Sequence, residues 1–236
     1  MNVIDIFVII LILLSGVIGF KRGVFKEVVL TVGWILIFLL AWYIKTPIAT
    51  FLSLNLPFLN FWGAFKGVTV INILLYQLVA FAIIYSLLMV GFRIVLMVTG
   101  AFEKILKATI ILGIPSKILG FIVGLIEGYI LAFLFLFAFS QPIFNIPMVN
   151  DSSFKNNILE KTPILSPMVK GVNSTVKDII ALKNDYTSDS TKDEFNRKCI
   201  ESMLEHKMVS KDYIKKLADA RKIKVRDLDE LLSRYE

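Results

Sequence analysis

The amino-acid sequence is most informative near its start, where residues 3–20 read VIDIFVIILILLSGVIGF. Only Asp5, Ser15 and two glycines interrupt the apolar residues, and these 18 residues would extend about 27 Å as a helix. That length nearly crosses the hydrocarbon core of a bilayer, which is about 30 Å thick. We therefore interpret this stretch as the first transmembrane helix. A cleaved signal peptide is disfavoured because the positive charges follow the apolar run and no small-residue cleavage site comes next.

Three further apolar stretches have a similar length, at residues 28–44, 68–92 and 118–139. Helices satisfy their own backbone groups, which lipid requires. The sequence therefore predicts an all-α, polytopic membrane protein with four transmembrane helices, interfacial helices and a small helical C-terminal tail. We expect a four-span membrane domain at 1–144, an amphipathic helix and polar linker at 145–192, and a three-helix tail at 193–236.

Two stretches between these spans are apolar but interrupted. Residues 46–67 contain two prolines and two asparagines, so we expect this stretch to lie at the interface or to re-enter. Residues 93–117 carry Glu103, Lys104 and Lys107, each costing at least about 2.5 kcal/mol at the centre of a bilayer. An amphipathic surface helix is the preferred interpretation of 93–117. If it spanned instead, the count would be five and the tail would change sides.

The composition excludes several classes of protein. Hydrophobic residues make up 56% of the 236 residues and charged residues 19%, with a mean hydropathy of +0.74, so a bilayer is the expected solvent. The single cysteine and single histidine leave neither an intramolecular disulfide nor a Cys/His metal site. Most of the net charge of +7 lies in the membrane half, whereas the tail is nearly balanced, with 17 basic and 15 acidic residues that alternate, which argues against nucleic-acid binding.

The distribution of basic residues predicts the orientation, because Lys and Arg are enriched on the cytoplasmic side. Seven lie in two loops that share one side, namely Lys21, Arg22 and Lys26, and Arg93, Lys104, Lys107 and Lys117. The intervening loop has only Lys45 and Lys66. We expect a multi-pass protein of the inner (cytoplasmic) membrane with both termini outside. Cys199, the only thiol, would then react with an impermeant maleimide on intact cells.

Small residues recur at intervals of four along two predicted helices, at Ser15, Gly19 and Gly23 in and after the first and at Gly120, Gly124 and Gly128 in the fourth. Apolar surface cannot drive helices together in lipid, so small residues that permit close approach matter more. These stripes predict a helix-packing seam, either within the chain or between copies. The alternative is that glycine is simply common in such helices.

Glu127 is the most unusual residue of the membrane half, because it lies near the middle of the fourth span. An ionised side chain there is costly and normally faces the bundle interior or water. We expect a protonated or partnered carboxyl group, with Arg93, Lys117 or the same residue of a second copy as partner. It indicates either a proton or ion pathway or a hydrogen bond between helices. Asp5 and Glu27 are expected at the interface.

The start of the chain resembles the colicin V production protein family in its polar and glycine residues, namely Asn2, Ile4, Asp5, Gly16, Gly19, Lys21, Arg22, Gly23, Phe25, Glu27 and Gly33. A second resemblance is the glycine spacing of the fourth span. At Glu127 the sequence departs from the basic residue expected in many relatives. The resemblance covers roughly residues 1–165 and implies an inner-membrane protein required for colicin V production or export and linked to envelope and stress phenotypes.

The polar end of the chain reads as helices joined by loops. Ser166 and Pro167 are typical of an N-cap and first helical residue, and apolar residues recur at helical spacing over 165–180. That helix packs either on the protein's own membrane part or on a partner. Residues 183–195 read as a linker. Three short helical patterns follow, the second capped by Ser210, and are too small for a secure core without docking or oligomerising.

Two functions remain open after this reading. The first is an accessory or scaffold protein that supports toxin production or export and envelope homeostasis. The second is a small oligomeric proton- or ion-coupled transporter or channel subunit that uses Glu127. An enzyme is not expected, because no phosphate loop, catalytic Ser/His/Asp set, metal cluster or carboxylate pair has usable spacing. No cofactor is predicted, and the expected partners are the lipid bilayer, other membrane or envelope proteins and a second copy of the chain.

Overall fold

The computed structural model describes residues 2–59, 69–98, 101–141, 146–185 and 192–235, with backbone alone at 101–112, 183–185 and 192. Every regular element in these ranges is a helix, which confirms the all-α prediction. The helices are α1 (Val3–Arg22), α2 (Val24–Asn55), α3 (Val70–Val98), α4 (Ala101–Phe139), α5 (Pro147–Asn150), α6 (Lys155–Lys161), α7 (Leu165–Asp185), α8 (Lys192–Glu205), α9 (Lys211–Asp219) and α10 (Leu228–Ser233). Four of the described helices are long and apolar enough to cross a membrane: α1, α2, α3 and the part of α4 from Gly113 to Phe139.

Helix α2 continues well past the predicted end at residue 44. It contains Pro47 in its interior and runs for 32 residues to Asn55, so residues 46–55 continue the helix and do not form a separate segment. A proline in a lipid-embedded helix is tolerated because neighbouring groups satisfy the freed backbone carbonyl. At about 48 Å, the helix is longer than the hydrocarbon core is thick, so it tilts or extends beyond lipid. Residues 60–67 of the predicted segment lie outside the described residues.

The segment predicted as a surface helix at 93–117 is divided between two long helices. Helix α3 continues to Val98 and includes Arg93, because its apolar residues extend beyond the predicted boundary. Helix α4 begins at Ala101 and bends at Gly113, whose φ of 52° and ψ of −130° are not helical. Only the part after this bend is a candidate span, so the count stays at four. The side chains of Glu103, Lys104 and Lys107 lie outside the described residues.

The chain forms two compact units, each built from segments that are far apart in sequence. Unit 1 combines Met1–Trp42 with Tyr85–Ser166. Within it, α1 packs along α4 in the antiparallel direction, since Gly19 lies against Gly120 and Ile12 against Gly128. Unit 2 combines Tyr43–Ile84 with Pro167–Glu236, so the tail folds together with parts of α2 and α3.

The three tail helices share one apolar core with α7 and α3. Its fully buried members include Ile200 of α8, Tyr213 of α9 and Leu231 of α10, together with Val70 and Ile73 of α3. We call the buried residues of α7–α10 in this cluster the tail core. Residues of α3 complete the core of the tail, so the tail is docked on the protein's own membrane part. Helix α7 contributes Ile179, so it packs on the protein itself.

Two local predictions for the tail are wrong and one is confirmed. Helix α7 begins at Leu165, so Ser166 lies inside its first turn; Pro167 still fits there because the first turn has unbonded N–H groups anyway. Phe195, predicted in the linker, is buried in α8, because that helix begins at Lys192. Ser210 is the N-cap of α9, and its side chain accepts a hydrogen bond from the Tyr213 N–H.

Candidate functional site

The small residues of α1 and α4 lie opposite one another in unit 1. A Cβ atom added at Gly19 would overlap the Gly120 carbonyl oxygen, and one added at Gly124 would overlap the Ser15 carbonyl oxygen. At Gly128 an added Cβ would lie 2.7 Å from the Ile12 Cα atom. We call this contact surface the α1–α4 seam; it consists of Ser15, Gly16 and Gly19 together with Gly120, Gly124 and Gly128. The structure therefore places both predicted stripes in one seam within the chain.

Gly23 connects the seam to the start of α2. Its φ of 75° lies in the left-handed region, where a side chain would be strained. Its N–H donates to the Gly19 carbonyl oxygen at 2.9 Å, and its own carbonyl accepts from the Glu27 N–H at 3.0 Å. Its Cα atom also limits the space beside Gly120. One residue therefore ends α1, begins α2 and directs Glu27 toward α4.

A pair of acidic side chains lies beside this seam. Glu27, on the first turn of α2, is fully buried, and its carboxyl group lies close enough to that of Glu127 on α4 for the two to interact directly. Arg22 at the end of α1 donates to Glu27 Oε2 at 3.3 Å. On the other side, Thr31 Oγ1 donates to Glu127 Oε2 at 2.9 Å. We call these four residues, Arg22, Glu27, Thr31 and Glu127, the acid-pair site.

The position of Glu27 differs from the sequence-based expectation. It was expected at the interface beside Lys26, but α2 begins at Val24, so Glu27 lies inside the helix and faces α4. The partners of Glu127 are Thr31 and Glu27, and neither cation considered for it is seen to pair with it. Arg93 is exposed, and Lys117 Nζ lies 6.0 Å from the centre of the Phe20 ring.

The acid-pair site is the feature that sequence reasoning missed. Glu27 and Glu127 belong to different helices, and their proximity depends on how α2 and α4 align. A weak signal was available, since Glu27 and Thr31 are spaced by one helical turn and share a face. The described residues contain no group of three or more His, Cys, Asp or Glu side chains that would hold a metal ion.

Asp5, expected at the membrane interface, is also buried within the protein. Its carboxylate accepts hydrogen bonds from Ser152 Oγ at 2.6 Å and from the Ser153 N–H at 2.9 Å. It also completes a capping box with Asn2 at the start of α1. These bonds join the beginning of α1 to the segment that follows α4. Because both of its carboxylate oxygens accept hydrogen bonds from the protein, we assign Asp5 a structural role and not a role in substrate binding.

Lys45 and Cys199 also differ from their expected surroundings. Lys45, counted with a loop, is buried inside α2, and its Nζ donates to Gln77 Oε1 at 3.0 Å. Cys199 is fully buried in the tail core. Burial, with Asp178 nearby, raises the pKa of its thiol to about 12. Because the thiolate is the reactive form, Cys199 will not report the side of the membrane as the sequence suggested.

Taken together, four apolar helices and a buried acid pair define a multi-pass α-helical membrane protein. Residues 4–163 match the family described as colicin V production protein. The match covers more than half of the chain, and the chain therefore belongs to that family. No curated protein and no solved structure matches the chain.

Proposed function

We propose that the chain is an accessory protein of the inner membrane that supports bacteriocin production or export and envelope homeostasis. The observation that carries this proposal is the family match over residues 4–163, which includes the four candidate spans. An accessory role requires a surface for partners, and the tail provides a compact helical one. Exposed charges of both signs cover it, such as Lys216 paired with Asp212 and Arg234 with Glu201.

Partners of this tail would be other membrane or envelope proteins. Its exposed charges suit a polar, specific contact better than insertion into lipid, which would have to desolvate them. We propose that both termini lie on the outer face, as the excess of basic residues in the loops of the opposite side indicates. Asp5 and Ser152, which bond to one another, would then mark the outer end of unit 1.

This orientation can be tested with single cysteine substitutions in the native chain. Lys215 in α9 and Lys21 in the last turn of α1 are both exposed lysines, and they lie on opposite sides of the proposed topology. Cys199 can remain, because its buried thiol gives little background. We expect Lys215→Cys to react with an impermeant maleimide on intact cells and Lys21→Cys to react only after lysis. The reverse pattern would place both termini in the cytoplasm.

The accessory role can be tested in cells that make a colicin V-type toxin but lack their own family member. We expect the wild-type chain to restore toxin in the medium. Ile214→Asp should reduce this export, because it places a charge in the tail core, whereas Lys215→Asp at the adjacent exposed position should not. Toxin is measured in the medium and inside cells at equal membrane levels of each variant. Failure of the wild type to restore export would refute the proposal.

A proton- or ion-coupled transporter is the second candidate, and the acid-pair site favours it. Acids inside a membrane domain commonly mark proton or ion pathways. The test is proton flux into liposomes that contain the purified protein. We expect Glu127→Gln to abolish a flux that Glu160→Gln, a change of an exposed acid on α6 of the same unit, leaves intact. Absence of flux in the wild type would eliminate this candidate.

A further inference from the structure

Among the described residues, one buried carboxyl oxygen of the acid-pair site has no hydrogen-bond partner. Glu27 Oε2 accepts from Arg22, and Glu127 Oε2 accepts from Thr31. Glu27 Oε1 is buried and has no hydrogen-bond partner among the described residues, although the side chain is only 1% exposed. An unpaired buried carboxylate oxygen is costly, whereas a carboxylic acid at this position could donate a hydrogen bond to the neighbouring acid.

We propose that Glu27 and Glu127 form a proton-binding site that holds one proton between the two carboxyl groups. Two carboxylates in contact cannot both ionise without strong repulsion, and such pairs share a proton. Arg22 supplies one positive charge, which compensates one carboxylate. A second negative charge would remain uncompensated away from water, and one proton removes it. The site is thus electrically neutral with one proton, one arginine and two glutamates.

The charge count of the site rests on the charged groups that act on Glu27. Among the described residues these are Glu127 from α4 and Arg22 from α1. Lys26, the neighbour of Glu27 on α2, is half-buried. On α3, Arg93 is exposed and acts electrostatically on Tyr85. Beyond the bend in α4, the side chains of 101–112 lie outside the described residues.

Arg22 gives this site a connection to water. Its side chain is 36% exposed, whereas that of Glu27 is 1% exposed, so the guanidinium joins the buried acid to the end of α1. Proton binding at this pair does not depend on the accessory role. It is the step that the transporter candidate would require, so the proposal refines the chemistry of that site.

Labelling with dicyclohexylcarbodiimide, an apolar reagent that reacts with protonated carboxyl groups, tests the proposal on the full chain in liposomes. We expect mass spectrometry to find one adduct per chain, at Glu27 or Glu127, at neutral pH. The labelled fraction should fall about tenfold for each pH unit above the midpoint of the titration. Asp5, a buried carboxylate that accepts bonds from Ser152 and Ser153, is the internal control and should stay unlabelled.

A substitution at the pair separates a shared proton from two independent acids. In Glu127→Gln, the remaining Glu27 keeps Arg22 as its counter-charge and ionises, so we expect this variant to lose labelling at both positions. Undiminished labelling of the remaining glutamate, or no labelling of the wild type at neutral pH, would overturn the proposal. The wild-type result does not depend on variants folding. Labelling without flux would support the proton site and eliminate transport, whereas absence of labelling would overturn the proton site and, with it, transport through Glu127.

Discussion

The α1–α4 seam and the tail core pack in different ways. Along the seam, the backbone atoms of Gly19 and Gly120 lie so close together that no Cβ atom fits between them. In the tail core, large side chains such as Tyr213 and Leu217 fill the space between the helices. The difference follows from the solvent of each region. In lipid, apolar side chains gain nothing by leaving a medium as apolar as themselves, so contact depends on close packing. In the tail, burial of apolar area from water provides the stabilisation. We therefore expect added atoms to destabilise the seam and removed atoms to destabilise the tail core.

The largest effect is expected from adding atoms to the seam, with Gly120→Leu. Its side chain would collide with the backbone of Gly19 and Gly23, which cannot move aside as a flexible side chain can. We expect a loss of stability beyond the roughly 3 kcal/mol of ordinary overpacking, enough to separate α1 from α4. The loss of stability is measured as the fraction of purified protein that stays monodisperse in detergent after heating.

Gly91→Leu is the matched control for this substitution. Gly91 lies on α3 of the same unit, and an added Cβ there would meet nothing within 4 Å. We expect Gly91→Leu to keep the wild-type heating profile. If Gly120→Leu also kept the wild-type heating profile, the close approach of α1 and α4 would be refuted. If both variants lost stability, the cause would be the added leucine in a long apolar helix and not its collision at the seam.

Removing atoms from the tail core should have the next largest effect, with Leu217→Ala. Leu217 is fully buried, and such truncations cost about 2 to 5 kcal/mol because they leave a cavity. The buried thiol of Cys199 reports this opening, since it reacts with maleimide only when the tail unfolds locally. We expect the rate of labelling in detergent to rise roughly 30- to 4,000-fold. Lys215→Ala on the exposed face of the same helix should leave the rate unchanged.

The pH of this measurement matters because Cys199 itself titrates. Burial raises the pKa of its thiol from 9.0 to about 12. A group whose pKa is raised in the folded state lends stability at pH values below its unfolded pKa and loses it as the pH rises through the folded one. The contribution of Cys199 is therefore constant below about pH 9 and disappears between 9 and about 12. Measurements below pH 9 isolate the effect of Leu217→Ala.

The two regions also differ in how far the sequence predicts them. Both seam stripes and the tail helices follow from periodicity, because each is a property of one helix. The same holds for the Ser210 cap. The end of α2 beyond Pro47 was not predictable in this way, since a proline usually marks a helix end or a kink.

The acid-pair site shows why the candidate functional residues were harder to predict. Glu27 follows the Lys21–Arg22 charges by a few residues, so its local sequence resembles a solvated loop. Only the turn at Gly23 and the approach of α4 place it beside Glu127. The burial of Asp5 was not predictable for a similar reason, because its partners Ser152 and Ser153 come after the fourth span. A pairing between distant segments leaves no periodic signal in either segment.

The smallest expected effect distinguishes hydrogen bonding from burial within the tail itself. Ser210 caps α9 by accepting the Tyr213 N–H at 3.2 Å, and it is exposed, so its removal changes almost no buried area. Ser210→Ala should cost about 1 kcal/mol and raise the rate of Cys199 labelling about fivefold. Ser210→Asp keeps an acceptor and adds a negative charge at a helix N-terminus, which is favourable. We expect it to label no faster than the wild type; a rise equal to that of alanine would mean that the tail depends on burial alone.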